Sequence, residues 1–221
     1  ISPDGLRLAF ASHRGGAWNL YVLDLSTGDL TQLTEGPAFK ANPYWSPDGQ
    51  FLAFEIYRND NLDIAVISVK GGDPIILTAD PAADYEPAWS PLGRELVWVS
   101  MRTGNPDLWR LSLDNPDERT YTQLTNTPTM QESDPAYSPT GDVVVYADAA
   151  SSIGLVYAHS ATDPTSLAYE VGQGLYPTWS PEGSSLATVL VQEGGQDSIM
   201  AAPLGQAGLA QIAYRATSAR I

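Results

Sequence analysis

The chain contains no cysteine. Disulfides, thiolate metal sites and a cysteine nucleophile are therefore excluded. Histidine is nearly absent as well: His13 and His159 stand at unrelated places and read as surface residues. No His-Glu-x-x-His zinc motif, Gly-x-Ser-x-Gly elbow, phosphate-binding loop or Asp-x-Asp-x-Asp-Gly calcium loop occurs. Lysine is limited to Lys40 and Lys70, and 11 basic residues face 26 acidic ones, for a net charge of −15. Nucleic acid and anionic membrane surfaces would be repelled, because affinity for both comes from Lys and Arg. No apolar run is long enough to span a bilayer. No helical period outlasts a turn or two.

What the chain does have is a repeat. Ser-Pro-x-Gly occurs five times, beginning at Ser2, Ser46, Ser90, Ser138 and Ser180, with spacings of 44, 44, 48 and 42 residues. Three residues after each Gly stand Leu8, Leu52, Leu96, Val144 and Leu186; five after it stand Phe10, Phe54, Trp98, Tyr146 and Thr188. Between them lie Ala9, Ala53, Val97, Val145 and Ala187. Alternate residues of a strand face opposite ways, so both faces of this strand are apolar, as in a sheet sandwiched between neighbours. An inner strand precedes each phrase (Asn42-Pro43-Tyr44-Trp45 and its counterparts at Glu86, Asp134 and Tyr176). Its proline suits an edge, where no ladder N–H is required. Third strands read as Leu20–Asp24, Leu62–Ser68, Leu108–Leu113, Leu155–His159 and Ser198–Ala202. Weaker fourth strands end in Leu33-Thr34, Leu77-Thr78 and Leu124-Thr125 and are degenerate at Ala168–Val171 and Leu209–Tyr214.

Units of this length with four short strands cannot bury both faces alone and must stack about an axis. The expected fold is all-β: one β-propeller domain over 1–221, with four-stranded antiparallel blades at about 1–40, 41–84, 85–132, 133–174 and 175–221. Ile1 sits in the slot of Trp45, Trp89, Tyr137 and Trp179, so the first repeat lacks its inner strand. The start, which is not a methionine and enters the repeat in mid-phrase, reads as a processing boundary. Two readings follow. The tail Ala216–Ile221 completes the first blade and closes a five-bladed ring, or the chain is a piece of a larger propeller. An open arc would leave apolar blade faces in water and favour self-association.

Trp45-Ser46-Pro47-Asp48-Gly49 followed by Leu52-Ala53-Phe54, with Ser2-Pro3-Asp4-Gly5 and Leu8-Ala9-Phe10, resembles the WD40-like PD40 repeat of the TolB family. Later repeats drift, with Leu92, Thr140 and Glu182 in the Asp slot. The resemblance implies a periplasmic or otherwise extracytoplasmic propeller, commonly six-bladed, that binds protein partners without catalysis. It also admits an accessory propeller of a prolyl-oligopeptidase-type serine peptidase. A propeller that binds a cation or carbohydrate is the other alternative.

The pointed candidates lie where the inner strands begin. Asn42, Glu86, Asp134 and Tyr176 directly precede the prolines, and Lys40, Asp84, Glu132 and Gly174 lie two residues earlier. The expected partner-binding mouth is Asn42, Asp84, Tyr85, Glu86, Glu132, Asp134 and Tyr176. No cofactor is expected, except that Asp84, Glu86, Glu132 and Asp134, crowded in one sector, could hold a hard cation such as calcium through oxygen ligands. The competing expectation is that these acids pair with Arg14, Arg58 and Arg102 of the nearby hairpins. Trp45, Trp89 and Trp179, one per repeat at fixed phase, read as core, whereas Trp18 beside Gly15-Gly16 reads as exposed.

Overall fold

A computed structural model describes residues 1–114, 119–151, 154–190, 198–203 and 212–214. It shows five small antiparallel sheets arranged as the blades of a β-propeller. Blade 1 holds β1 (Arg7–Ser12), β2 (Asn19–Asp24) and β3 (Leu30–Gln32). Blade 2 holds β4 (Lys40–Trp45), β5 (Phe51–Arg58), β6 (Asn61–Ser68) and β7 (Ile75–Ile76), and blade 3 holds β8 (Asp84–Trp89), β9 (Glu95–Ser100), β10 (Asp107–Ser112) and β11 (Tyr121–Gln123). In blade 4 these become β12 (Glu132–Tyr137), β13 (Val143–Asp148), β14 (Leu155–Ser160) and β15 (Tyr169–Gln173). Blade 5 has β16 (Leu175–Trp179), β17 (Ser185–Leu190), β18 (Ser198–Pro203) and β19 (Ile212–Tyr214). Strands follow chain order within each sheet, and among the described residues blade 1 has no inner strand of the kind the others carry. The tail expected to supply it lies outside the described residues.

The repeated phrase is a turn that closes on itself. Gly49 N donates to the Ser46 carbonyl at 2.9 Å. Ser46 Oγ donates to Asp48 at 2.6 Å and accepts from Phe51 N at 2.9 Å, so one hydroxyl ties both sides of the turn. Gly49 has φ 66°, and a Cβ there would meet Pro3 of the preceding blade at 3.7 Å. The turn thus needs glycine for its backbone and sets a close step between successive blades. The Leu-Thr pairs fall just beyond the fourth strands. The Thr34, Thr78 and Thr125 hydroxyls accept from Leu20, Ile64 and Leu108 N at 2.8–2.9 Å, satisfying a buried donor of the third strand.

The core lies between blades. Leu52, Phe54 and Ile56 of blade 2 pack on Ala9, Ala11, Leu20 and Val22 of blade 1. Leu96 and Trp98 of blade 3 pack on Ala53, Ile64 and Val66 of blade 2. Tyr137, Val144 and Tyr146 of blade 4 meet Val97, Val99 and Leu108 of blade 3, and Leu186 of blade 5 meets Val145, Val156 and Ala158. Large side chains point back to the preceding blade and small ones point forward. Trp45 and Trp89 are buried in these layers, as the fixed phase predicts.

Leu8 and Phe10 of blade 1 are only half-buried, where Leu52 and Phe54 of blade 2 are fully buried. Phe54→Ala should therefore destabilise by about 3–5 kcal/mol. Phe10→Ala at the same repeat position should cost about 1–2 kcal/mol, since it removes less apolar surface from contact. Urea unfolding of the two variants checks this; equal losses would contradict the packing order.

Candidate functional site

Each described inner strand opens with a β-bulge. Pairing to the second strand shifts between Ala41 and Tyr44, Tyr85 and Ala88, Ser133 and Ala136, and Leu175 and Thr178. Two residues there oppose one, and the second of the two is the proline. The first is Asn42, Glu86, Asp134 or Tyr176, at φ 48°, 53°, 52° and 54°. A left-handed backbone costs a non-glycine residue about 1 kcal/mol, so something must hold it. For Glu86 and Asp134 the holding group is a carboxylate of the preceding blade, and for Asn42 it is a carboxylate of its own blade. Glu55 Oε1 accepts from Glu86 N at 2.8 Å and also from Asn42 Nδ2 at 2.7 Å. Glu86 Oε2 accepts from Asp134 N at 2.7 Å, and the Asp134 carboxylate in turn faces the Tyr176 N–H. The four residues thus form the ring that their sequence positions predict, bound into an inter-blade relay at the channel mouth.

The relay shifts its own acids. Burial, with added repulsion from Asp134 and Glu55, pushes the Glu86 carboxyl up to about 7 against the opposing Asp134 N–H. Burial also raises Asp134, held back by the Ser133 hydroxyl and the Tyr176 N–H. Tyr85 is pushed up to about 12 by burial and by Glu86, Glu55 and Glu132. Its hydroxyl lies 3.9 Å from Met101 Sδ. Tyr176 is 60 % exposed, and Asn42 is exposed as well, whereas Glu86 and Asp134 are half-buried. Sequence reasoning missed Glu55; its only signal is a lone acid inside the apolar run Phe51–Ile56.

Lys40, Asp84 and Glu132 lie deeper and are buried between blades, at 3 %, 0 % and 1 % exposure. Asp84 and Glu132 therefore offer no surface to a partner, which corrects their assignment to the contact surface. Asp84 accepts from Arg102 Nη2 on both oxygens at 3.0–3.1 Å and from Trp98 Nε1 at 3.0 Å. Arg102 also lies over Trp109, 4.5 Å from the ring centroid. The expected arginine pairing holds here but not elsewhere. Arg58 pairs with Asp63 of its own blade at 2.9 Å, and Arg14 lies over Tyr21. Asp84, Glu86, Glu132 and Asp134 go to separate partners. Among the described residues no three His, Asp or Glu side chains are grouped to hold a metal ion. His159 is also buried, at 3 %, with Nδ1 2.7 Å from the Ser160 carbonyl, contrary to its reading as a surface residue.

An aromatic patch joins the mouth. Antiparallel connectivity brings the β1–β2 and β5–β6 hairpins to the end where the inner strands begin. There Trp18, Phe39 and Tyr57 are each between about a third and half exposed. Trp18 packs between His13, at 5.8 Å, and Phe39, at 6.1 Å. Tyr57 N donates to the Phe39 carbonyl at 2.9 Å, which fixes its place beside them. Of these four residues, the exposure of Trp18 and of His13 was legible in the sequence.

A stack of Ser-Pro-x-Gly blades with a bulged, carboxylate-tied mouth defines a small β-propeller of the PD40 type. Residues 1–167 match the family model described as the TolB beta propeller domain, and the chain belongs to that family. Similar solved structures include TolB from Acinetobacter baumannii, at 23 % identity and TM-score 0.77 over 90 % of this chain and 50 % of that one. Putative TolB from Agrobacterium tumefaciens is 26 % identical, with TM-score 0.69 over 83 % of this chain and 69 % of that one. An oligogalacturonate lyase in complex with manganese shares the fold at 20 % identity and TM-score 0.66, over 92 % of this chain and 61 % of that one. This chain thus spans half the length of the Acinetobacter protein. No curated protein sequence matches it.

Replacing Arg102 with Met leaves Asp84 buried and unpaired and should cost about 3–5 kcal/mol in denaturant unfolding. Adding Asp84→Leu removes the orphaned charge, and the double variant should be more stable than the single. A double variant no more stable than the single would show that the pair is not what holds this joint.

Proposed function

We propose that the chain is a non-catalytic, extracytoplasmic protein-binding scaffold whose contact surface is the bulged mouth together with the aromatic patch. The observation that carries this reading is the half-exposed set Trp18, Phe39 and Tyr57 on blades 1 and 2, at the same end of the blades as the open Tyr176 of blade 5. Aromatic side chains provide large contact area with few rotatable bonds, and they are enriched where proteins meet. The mouth backbone is fixed by the relay before any partner arrives, so association loses little conformational entropy. The half-buried acids Glu86 and Asp134 and the net charge of −15 favour a partner with a basic, partly apolar segment.

The enzyme reading has less support. The manganese-bound lyase shares this fold, but the described residues of this chain bring no three metal-ligating carboxylates or histidines together. The accessory-propeller alternative differs in placing a peptidase domain beside the blades. Its cheap discriminator is the gene downstream of Ile221.

Photo-crosslinking from single positions in an extracytoplasmic extract tests the surface. Probes at Trp18 and Tyr176 should trap the same partner, and a probe at Leu167, which is 89 % exposed in the loop between β14 and β15, should not. Trp18→Ala combined with Tyr176→Ala should abolish capture while leaving the melting temperature within about 2 °C of wild type. Capture through Leu167 alone would place the contact surface elsewhere.

A further inference from the structure

The four successive joints between blades present one repeated pair of positions, the third-strand residue that pairs with Ser12, Ile56, Ser100 or Asp148 of the second strand and the residue at or just before the start of the next inner strand. In the first joint the pair is Asn19 and Lys40, and Lys40 Nζ reaches Asn19 Oδ1 at 3.0 Å and the Glu35 and Ala38 carbonyls at 2.8 and 2.9 Å. In the second it is Asp63 and Asp84, each with its own arginine, Arg58 and Arg102. In the fourth it is Leu155 and Gly174, without charge. The third joint differs. Its pair is Asp107 and Glu132, both 1 % exposed, and among the described residues neither forms an ion pair.

Asp107 is well supplied with donors. Thr103 Oγ1 and Gln123 Nε2 donate to Oδ2 at 2.5 and 3.2 Å, and Thr127 N donates to Oδ1 at 3.1 Å. Glu132 is not. Its Oε1 accepts from the Thr127 hydroxyl, but its Oε2 is buried with no hydrogen-bond partner. The hydroxyl of Tyr146, fully buried, also has none. These two orphans occupy the slots of Asp84 and Trp98, which are hydrogen-bonded at 3.0 Å in blade 3. An ionised pair here would leave two negative charges in a dry joint without a counter-charge, an arrangement that costs several kcal/mol.

We propose that the third joint is a proton site. Glu132 is carried as a neutral carboxylic acid, the proton seated on the otherwise unpartnered Oε2, so that a proton from solution does what Lys40 and the two arginines do in the earlier joints. Of the groups facing Glu132, Asp107 from β10 opposes its ionisation by repulsion, Tyr146 and Asp148 from β13 and Tyr85 from β8 bring no positive charge, and the Thr127 and Thr125 hydroxyls donate to it and favour the ionised form. Burial, with Asp107 adding repulsion, pushes Glu132 up to about 7. The same joint carries the Glu86-to-Asp134 brace of the mouth. Loss of the proton therefore puts repulsion between the two blades that hold the acidic side of the candidate surface.

The sign follows from a folded-state affinity for the proton higher than that of the unfolded chain. Stability should fall as pH rises from about 4.5, with the penalty complete above about 7. Glu132→Gln keeps a donor and cannot ionise. Melting temperatures should be compared with and without this change in a Glu86→Gln background, which removes the other acid titrating in this range. The gain from Glu132→Gln should be near zero at about pH 5 and reach about 5 °C at about pH 8. A gain that does not vary with pH overturns the proposal. So does a gain erased at high pH by calcium, magnesium or potassium, since a metal ion would then neutralise the joint. If Glu132→Gln fails to fold, the infrared spectrum of the Glu86→Gln protein decides. A buried protonated-carboxyl band at about pH 6 that is lost by about pH 8.5 supports the proton, and its absence at both overturns it.

Discussion

The whole molecule rests on the fact that a blade cannot bury its own faces. Each sheet is apolar on both sides, so stability comes from the layer between one sheet and the next. The layer has a direction. Phe54, Trp98 and Tyr146 reach back into a surface of smaller residues, such as Ala9 and Ala11 or Ala53 and Val66, on the preceding blade. This large-into-small fit lets thin sheets approach closely, and Gly49, Gly93, Gly141 and Gly183, each seated against the preceding blade, keep the turns equally close. Packing of this density leaves no room for a polar group to solve its hydrogen bonding with water.

Polar groups at the joints must therefore be satisfied by the protein, and each joint does so differently. One lysine spans loop carbonyls and an asparagine; two arginines cover two aspartates; one joint omits charge altogether. A repeat fold allows this variety because each joint is a local problem. A change at one pair of positions does not oblige the others to follow, provided the apolar layer is kept. The same locality concentrates the acidic side of the mouth on one joint, where Glu86, Glu132 and Asp134 all lie between blades 3 and 4.

The strands and turns were legible in the sequence because they depend on short patterns repeated at fixed phase. Ser46, Pro47 and Gly49 specify a turn wherever they occur together, and the strand that begins at Phe51 follows from alternation alone. The ring position of Asn42, Glu86, Asp134 and Tyr176 was legible for the same reason, since the following proline marks the place where the ladder is interrupted. The duties of the acids were not legible. Asp84 and Glu86 are two residues apart and read alike, yet one is sealed against Arg102 and Trp98 and the other faces the channel mouth. That difference arises from the bulge between them and from the surface of an adjacent blade more than ten residues away, neither of which a one-dimensional pattern encodes. Glu55 was hidden because its partners, Asn42 and Glu86, belong to two different blades.

The mouth relay bears on why this surface suits recognition. A left-handed residue in a bulge is strained, and a strained loop at a rim would ordinarily relax when exposed to solvent. Here the Glu86 and Asp134 N–H groups are each held by a carboxylate one blade back, so this part of the rim relaxes only if neighbouring blades part. Rim geometry and inter-blade packing are consequently one cooperative unit. Side chains carried on that rim, Tyr176 above all, are presented in fixed relative positions by the core itself. A partner that binds across two blades would in turn stabilise the joint it spans, because binding only the assembled form adds its free energy to that form. Scaffold and recognition surface are in this sense the same set of contacts, read from the inside and from the outside.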